Sequence, residues 1–247
     1  MLAPLNGILF QSLLFFYKLF GGNLGLSIIA ITIITKVILL PFVIPSIRSA
    51  KKMQDLKPEL DRLKAKHTDK AALQQAQVAL YKERGINPAA GCLPQIFQII
   101  ILISLYQVFI YFLKQSSVGG VVVNPNFIYL DLTKPDRTYI MSLLAGLSQL
   151  VFSLMMQSGI ESHVQNPKKK DDKKKEEDSL EMASSMQQQM IYMMPAMTVI
   201  ISLNFQSGLV LYWVVSTLFS LIQQYFFSGW GGLIPVLKKL RILKNNN

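Results

Sequence analysis

The chain has a single cysteine, Cys92, so no intrachain disulfide can form. It has two histidines, His67 and His163, each in a polar stretch where a solvated surface residue is the ordinary reading. Charge is scarce as well. Asp, Glu, Lys and Arg make up 16% of 247 residues, against about 25% in a typical soluble domain. Asp and Glu number 14 against 25 Lys and Arg, a net charge of +11. Five long apolar runs contain no Asp, Glu or His. That excludes metal ligation, an aspartyl dyad and carboxylate proton relays inside those runs. A serine protease built within them would lack a partnered base. No Gly-rich loop ends in Gly-Lys-Ser/Thr, so no phosphate cradle is expected. No metal, cofactor or catalytic residue is expected.

Apolar sequence is abundant. Hydrophobic residues are 51% and the mean hydropathy is +0.35. Residues 25–43 carry one charge, Lys36, and residues 93–113, 139–160, 186–205 and 208–227 carry none. About 20 helical residues cross a hydrocarbon core of about 30 Å. The expected fold is therefore an all-α polytopic membrane protein with five transmembrane helices, in 23–45, 93–113, 139–160, 186–205 and 208–227. Residues 1–22 differ. Gly7, Gln11 and Lys18 form a polar stripe on an apolar helix, which Gly21, Gly22 and Asn23 end. This predicts an interfacial amphipathic helix. A cleaved signal peptide is the competing reading, and residues 1–7 lack the basic start it would have.

Basic residues orient the spans. Residues 46–87 hold ten, 168–175 hold six and the tail from Lys238 holds four. The other side has Lys18, Lys114, Lys134 and Arg137. The N-terminus is expected outside and the C-terminus in the cytoplasm. Residues 46–88 read as a cytoplasmic helical hairpin, with Met53, Leu56, Leu60 and Leu63 along one seam and Leu73, Ala76 and Leu80 along the other. Thr68 is the expected cap of its second helix. Residues 114–138 form an extracytoplasmic loop, 161–185 a disordered cytoplasmic loop, and 228–247 a basic tail. The tail charges suit anionic lipid or ribosomal RNA.

Lys36 lies nine residues before Pro45, about 13 Å along a helix. A charge at the centre of a span costs about 2.5–3.5 kcal/mol. No acidic residue in the spans can pair with it, so hydration through a cytoplasm-open groove is expected. Snorkelling to the interface is the alternative. Uncharged polar residues could line such a groove: Thr32 and Thr35, Gln95, Gln98, Ser104 and Gln107, Gln149 and Gln157, and Ser216, Thr217, Gln223 and Gln224. Any of these glutamines could equally bond between helices. A wet groove with one fixed cation performs no covalent chemistry. It suits an acidic peptide segment.

The run Asn87-Pro88-Ala89-Ala90-Gly91-Cys92-Leu93-Pro94 resembles the Asn-Pro-x-x-Gly-Cys-Leu-Pro signature of the YidC membrane protein insertase family. Other pieces follow in order: Asn23-Leu24-Gly25, the Thr32, Lys36, Leu40-Pro41 helix, Leu56-Lys57-Pro58-Glu59-Leu60, Asp131-Leu132, Ser207 to Trp213, and Gln223-Gln224. The resemblance implies five core spans around a hydrophilic groove open to cytoplasm and lipid and closed outside. It also implies a positive residue at Lys36, where bacterial members have Arg, and an aromatic client contact at Trp213. The polar residue on span three falls at Gln149, or nearer Val151. Function would be insertion and chaperoning of membrane proteins, with no bond made or broken. Partners would be nascent membrane proteins, the ribosome, the Sec translocon and membrane lipids, and not DNA. Lacking the large extracytoplasmic domain, the chain is expected to be a short bacterial plasma-membrane form. A small-solute transporter or channel is the competing class, against which the absence of an internal repeat argues. An intramembrane hydrolase is the third.

Overall fold

The structure is a computed structural model and describes residues 3–67, 69–85, 93–113, 117–118, 121–156 and 192–234. Among these residues eight helices follow in order: α1 (Ala3–Leu19), α2 (Leu24–Asp55), α3 (Lys57–Lys66), α4 (Lys70–Glu83), α5 (Leu93–Leu113), α6 (Ile140–Met156), α7 (Tyr192–Asn204) and α8 (Ser207–Ser228). A 3-10 turn, Gly231–Leu233, follows α8. Of the motif 87–94, residues 87–92 lie outside the described residues, as do the loop 161–185, His163, Gln157, Thr68 and the basic tail from 235.

Among the described residues, two helices are long and apolar enough to cross a membrane: Leu24–Lys52 within α2, and α8. Phe97–Phe112, α6 and α7 are shorter apolar helices. Their outward faces are greasy. Ile34, Val37, Ile38 and Phe42 of α2 are exposed, as are Leu143 and Leu147 of α6 and Ile222 and Phe226 of α8. Water would penalise so much contiguous apolar surface, whereas hydrocarbon would not.

Helix α2 begins where Asn23 caps it: its side chain accepts from the backbone N–H of Leu26 at 3.0 Å. The first span is expected to end at Pro45, yet the helix runs through both Pro41 and Pro45 to Asp55. Each proline leaves the carbonyl four residues earlier without its helical donor, but neither ends the helix. Only Leu56 separates α2 from α3, so the hairpin α3–α4 is carried directly on the helix bearing Lys36. The hairpin is joined by Leu56 and Leu60 packing on Leu80 and Tyr81. A two-oxygen ion pair adds to this, Arg84 Nη2 lying 2.9 Å from both carboxylate oxygens of Glu59. Burial pushes the Tyr81 hydroxyl above the ordinary tyrosine pKa. The cap of α4 is Asp69, not Thr68. Its carboxylate accepts from Ala72 N–H at 3.1 Å.

The main core joins α1, α2, α5 and α8. Leu9, Leu13 and Tyr17 of α1 pack against Leu24, Ile28 and Ile31 of α2 and Phe109 and Phe112 of α5. Tyr17 is fully buried and its hydroxyl accepts from Asn124 N–H at 2.8 Å. Helix α1 is thus part of the body, with Gly7, Gln11 and Lys18 exposed beside Ile8, Phe15 and Leu19. Close approaches occur at glycines. A Cβ at Gly25 would overlap the ring of Phe127, and one at Gly208 the ring of Phe109.

The segment between α5 and α6 holds two short antiparallel hairpins, Ser117–Val118 (β1) with Val121–Val122 (β2), and Asn126–Phe127 (β3) with Leu130–Asp131 (β4). An Asp-x-Thr turn then occurs twice. Asp131 accepts from the Thr133 backbone N–H and hydroxyl, and Asp136 does the same with Thr138. Asp136 also accepts from Met141 N–H at 2.9 Å, which satisfies a free donor in the first turn of α6. Burial raises the Asp136 pKa, but bonds from Thr138, Met141 and Ile140 outweigh it and hold the carboxyl below its ordinary value. The same loop caps α8. The carbonyl of Lys134 accepts from Ser207 N–H and Oγ, and that of Leu132 from Gly208 N–H.

Candidate functional site

The polar centre of the helices is Lys36. Its ammonium donates to Gln98 Oε1 at 3.0 Å and to Ser220 Oγ at 2.9 Å. Ser216 Oγ donates to the same Gln98 oxygen at 3.1 Å, and Gln98 Nε2 donates to Tyr212 Oη at 2.9 Å. Ser220 in turn donates to the carbonyl of Ser216. Three helices therefore meet at one amide: Lys36 from α2, Gln98 from α5, and Tyr212, Ser216 and Ser220 from α8. The three α8 residues are four apart, so they stand on one face.

Among the described residues, both hydrogen-bond partners of Lys36 are neutral. The charge is solvated by oxygens but not cancelled, in a position where Lys36 is only half-buried. An ammonium has three donors, of which two are used here. The sequence predicts water around Lys36, and the structure supplies Gln98 and Ser220 as partners.

The other expected site residues divide. Gln98 and Ser216 join Lys36. Thr32 is buried and its hydroxyl is turned back to the Ile28 carbonyl at 2.6 Å, so it is no part of the cluster. Thr35 is half-buried one residue before Lys36. Trp213 is half-buried beside Tyr212, and its carbonyl accepts from Thr217 Oγ1. Gln149 sits half-buried on α6, away from the Lys36 bonds. Gln107 bonds Asn6 of α1 at 2.7 Å. Gln95 and Pro94 belong to α5, but their side chains lie outside the described residues, like Asn87, Pro88, Gly91 and Cys92. Sequence reasoning missed Ser220, and Tyr212 as a bonded group. The spacing 212, 216, 220 was the available signal.

At the Ser228 end of α8 the chain closes on itself. Gln54 of α2 donates to the Met155 carbonyl at the end of α6 at 3.0 Å. Gly231, at φ +49°, lies where a Cβ would strike that same carbonyl. Among the described residues there is no cluster of three or more His, Cys, Asp or Glu.

Apolar helices with exposed apolar faces, gathered on a neutral polar seam that holds Lys36, are the pattern of an integral membrane protein. The family model described as 60Kd inner membrane protein matches residues 15–230. The chain is 34% identical over 227 residues to membrane protein insertase MisCA of Bacillus subtilis, covering 90% of this chain and 75% of that protein. It is 33% identical to membrane protein insertase YidC 2 of Bacillus anthracis, covering 89% and 77%, and 33% identical to the YidC of Fusobacterium nucleatum, covering 85% and 88%. A crystal structure of an active YidC insertase superposes with a TM-score of 0.59 at 22% identity. That match spans 88% of this chain and 45% of that one, and it shows the shared fold. The chain belongs to the YidC family of membrane proteins.

Proposed function

We propose that this chain is a membrane protein insertase. In this reading it admits a short hydrophilic segment of a nascent membrane protein into the groove around Lys36 and releases the apolar helix to lipid. The observation that carries the reading is the set of neutral partners around Lys36. An acidic partner would have neutralised the lysine internally. Gln98 and Ser220 hold it in place and leave its charge and one N–H for an incoming carboxylate. At 4 Å such an attraction is about 1 kcal/mol in water and about 4 kcal/mol at an effective dielectric of 20. The client's apolar helix then leaves sideways, driven by apolar burial in lipid.

The reading places the hairpin α3–α4 and the Ser228 end of α8 in the cytoplasm, and the α5–α6 segment outside, over a closed end. Five spans cross the bilayer, and α1 lies at the outer interface. Nascent chains are the clients; the ribosome, the Sec translocon and anionic lipids are the partners. No bond is made or broken.

Vesicles containing the purified full chain, supplied with ribosome-synthesised single-span clients, test this. Protease-protected client tails are expected above those in empty vesicles, without flux of small solutes. Equal protection in empty vesicles, or solute flux without protection, would refute it.

A further inference from the structure

The β3–β4 hairpin pairs Asn126 with Asp131 and Phe127 with Leu130, so Ile128 and Tyr129 form a two-residue turn. Of these two, only Ile128 has a positive φ, at +57°. Hairpin turns that begin this way ordinarily place glycine first, and a β-branched side chain is disfavoured there. Ile128 is nonetheless 85% exposed, so packing within the protein does not offset the strain. Among the described residues the other non-glycine with positive φ is Tyr139, at +62°, and it is 59% exposed. Both residues lie at the end of the molecule where α2, α6 and α8 begin. The hairpin is seated there by Phe127 on Gly25 and by the Leu132 carbonyl on Gly208 N–H, and Tyr139 directly precedes α6.

A single exposed isoleucine is ordinary on a protein surface. Here Tyr129 and Ile140, next in sequence to the two strained residues, are exposed as well. Ile140 continues along α6 into exposed Leu143, Leu144 and Leu147, the face that hydrocarbon covers. Tyrosines among aliphatic side chains at the end of apolar helices suit the boundary between headgroups and acyl chains. Arg137, exposed in the same loop, suits a headgroup phosphate. We infer that the Ile128–Tyr129 turn, together with Tyr139 and Ile140, is a lipid anchor that dips into the leaflet at this end of the helices. Burying Ile128 among acyl chains supplies the apolar contact that the protein does not. Because the hairpin is seated on α2 and α8, the anchored turn holds the starts of both helices at that leaflet. Lys36 is about 18 Å along the axis of α2 from Leu24, so its depth is held as well. The inference rests on the chain being a membrane protein and is independent of the insertase reading.

The test uses the full chain on a Cys92→Ser background in phosphatidylcholine and phosphatidylglycerol vesicles. Ile128→Cys and Tyr129→Cys each carry an environment-sensitive fluorophore, and Ala65→Cys, exposed on the α3–α4 hairpin, serves as the probe in water. Only variants that melt at the wild-type temperature are compared, and either turn position suffices. The turn probe is expected to emit further to the blue than the Ala65 probe. It is expected to lose emission when the lipids are brominated in the upper acyl chain, and to resist iodide supplied on both sides of the membrane. The Ala65 probe is expected to show the reverse. A turn probe quenched by iodide as strongly as the Ala65 probe and untouched by bromolipid would place the turn in water and overturn the anchor. A turn probe reached by neither quencher would mean that protein covers it, which overturns the anchor equally.

Discussion

Lys36 Nζ stands 3.0 Å from Gln98 Oε1, and the same oxygen also accepts from Ser216 at 3.1 Å. One uncharged amide thus holds the Lys36 ammonium in place without neutralising it.

Gln98→Glu changes that. It puts a carboxylate within bonding range of the ammonium and forms an internal ion pair. The expected outcome is loss of preference for acidic over neutral client tails while the protein stays folded. Gln98→Leu is expected to do something else. It removes one of the two partners of Lys36 and the amide donor to Tyr212 and lowers unfolding stability by about 2 kcal/mol, measurable by denaturant titration in mixed micelles. A preference left intact in Gln98→Glu would show that Gln98 does not control the charge of Lys36.

Gly25 and Phe127 set the approach of α2 to the β3–β4 hairpin. Because a Cβ at Gly25 overlaps the ring, Gly25→Ala is expected to cost about 1–3 kcal/mol. Adding Phe127→Ala opens the space the methyl needs, so the double variant should be more stable than the sum of the two single changes. Strict additivity in a double-mutant cycle would place the strain elsewhere.

Asp136 gives a pH signature. Its pKa is held below the ordinary carboxylate value when folded, so its contribution is present above the unfolded pKa of about 3.9 and is lost as pH falls below it. Asp136→Ala is expected to cost about 1 kcal/mol near neutrality, as for a lost helix cap. The gap from wild type should close as pH drops below about 4. A gap that stays constant would mean that the carboxylate is not the stabilising form.

Orientation has its own test. A cysteine at Lys52, exposed near the end of α2, on a Cys92→Ser background should resist an impermeant thiol reagent in intact cells and react after lysis. Labelling in intact cells would reverse the assigned sides.

The apolar runs and the hairpin seam were legible because period and length express burial directly, and α5 spans residues 93–113 as the charge-free run predicts. Lys36 was legible as a lone charge among apolar neighbours. Its partners were only half so. Gln98 stood out as an amide in a greasy helix, whereas Ser220 looked like any small residue able to bond its own helix, and it does so with Ser216. Thr32 stays outside the Lys36 hydrogen bonds for the same reason: a helical threonine satisfies itself on the carbonyl four residues back. The continuation of α2 past Pro45 to Asp55 was also hidden, since local sequence marks a proline as a helix stop. Tyr17 bonding Asn124 joins residues 107 apart, and no local pattern encodes such a pairing.

The central claim is that the uncancelled charge of Lys36 draws acidic client segments into the groove. Insertion of matched acidic-tail and neutral-tail clients should be measured in vesicles bearing wild type, Lys36→Arg, Lys36→Ala and Lys36→Glu. The account predicts that Lys36→Arg retains activity and that Lys36→Ala impairs the acidic client more than the neutral one. Lys36→Glu should reduce the acidic client furthest, about tenfold or more for an energy change near 1.4 kcal/mol. Equal insertion of the acidic client by wild type and Lys36→Glu would contradict the account.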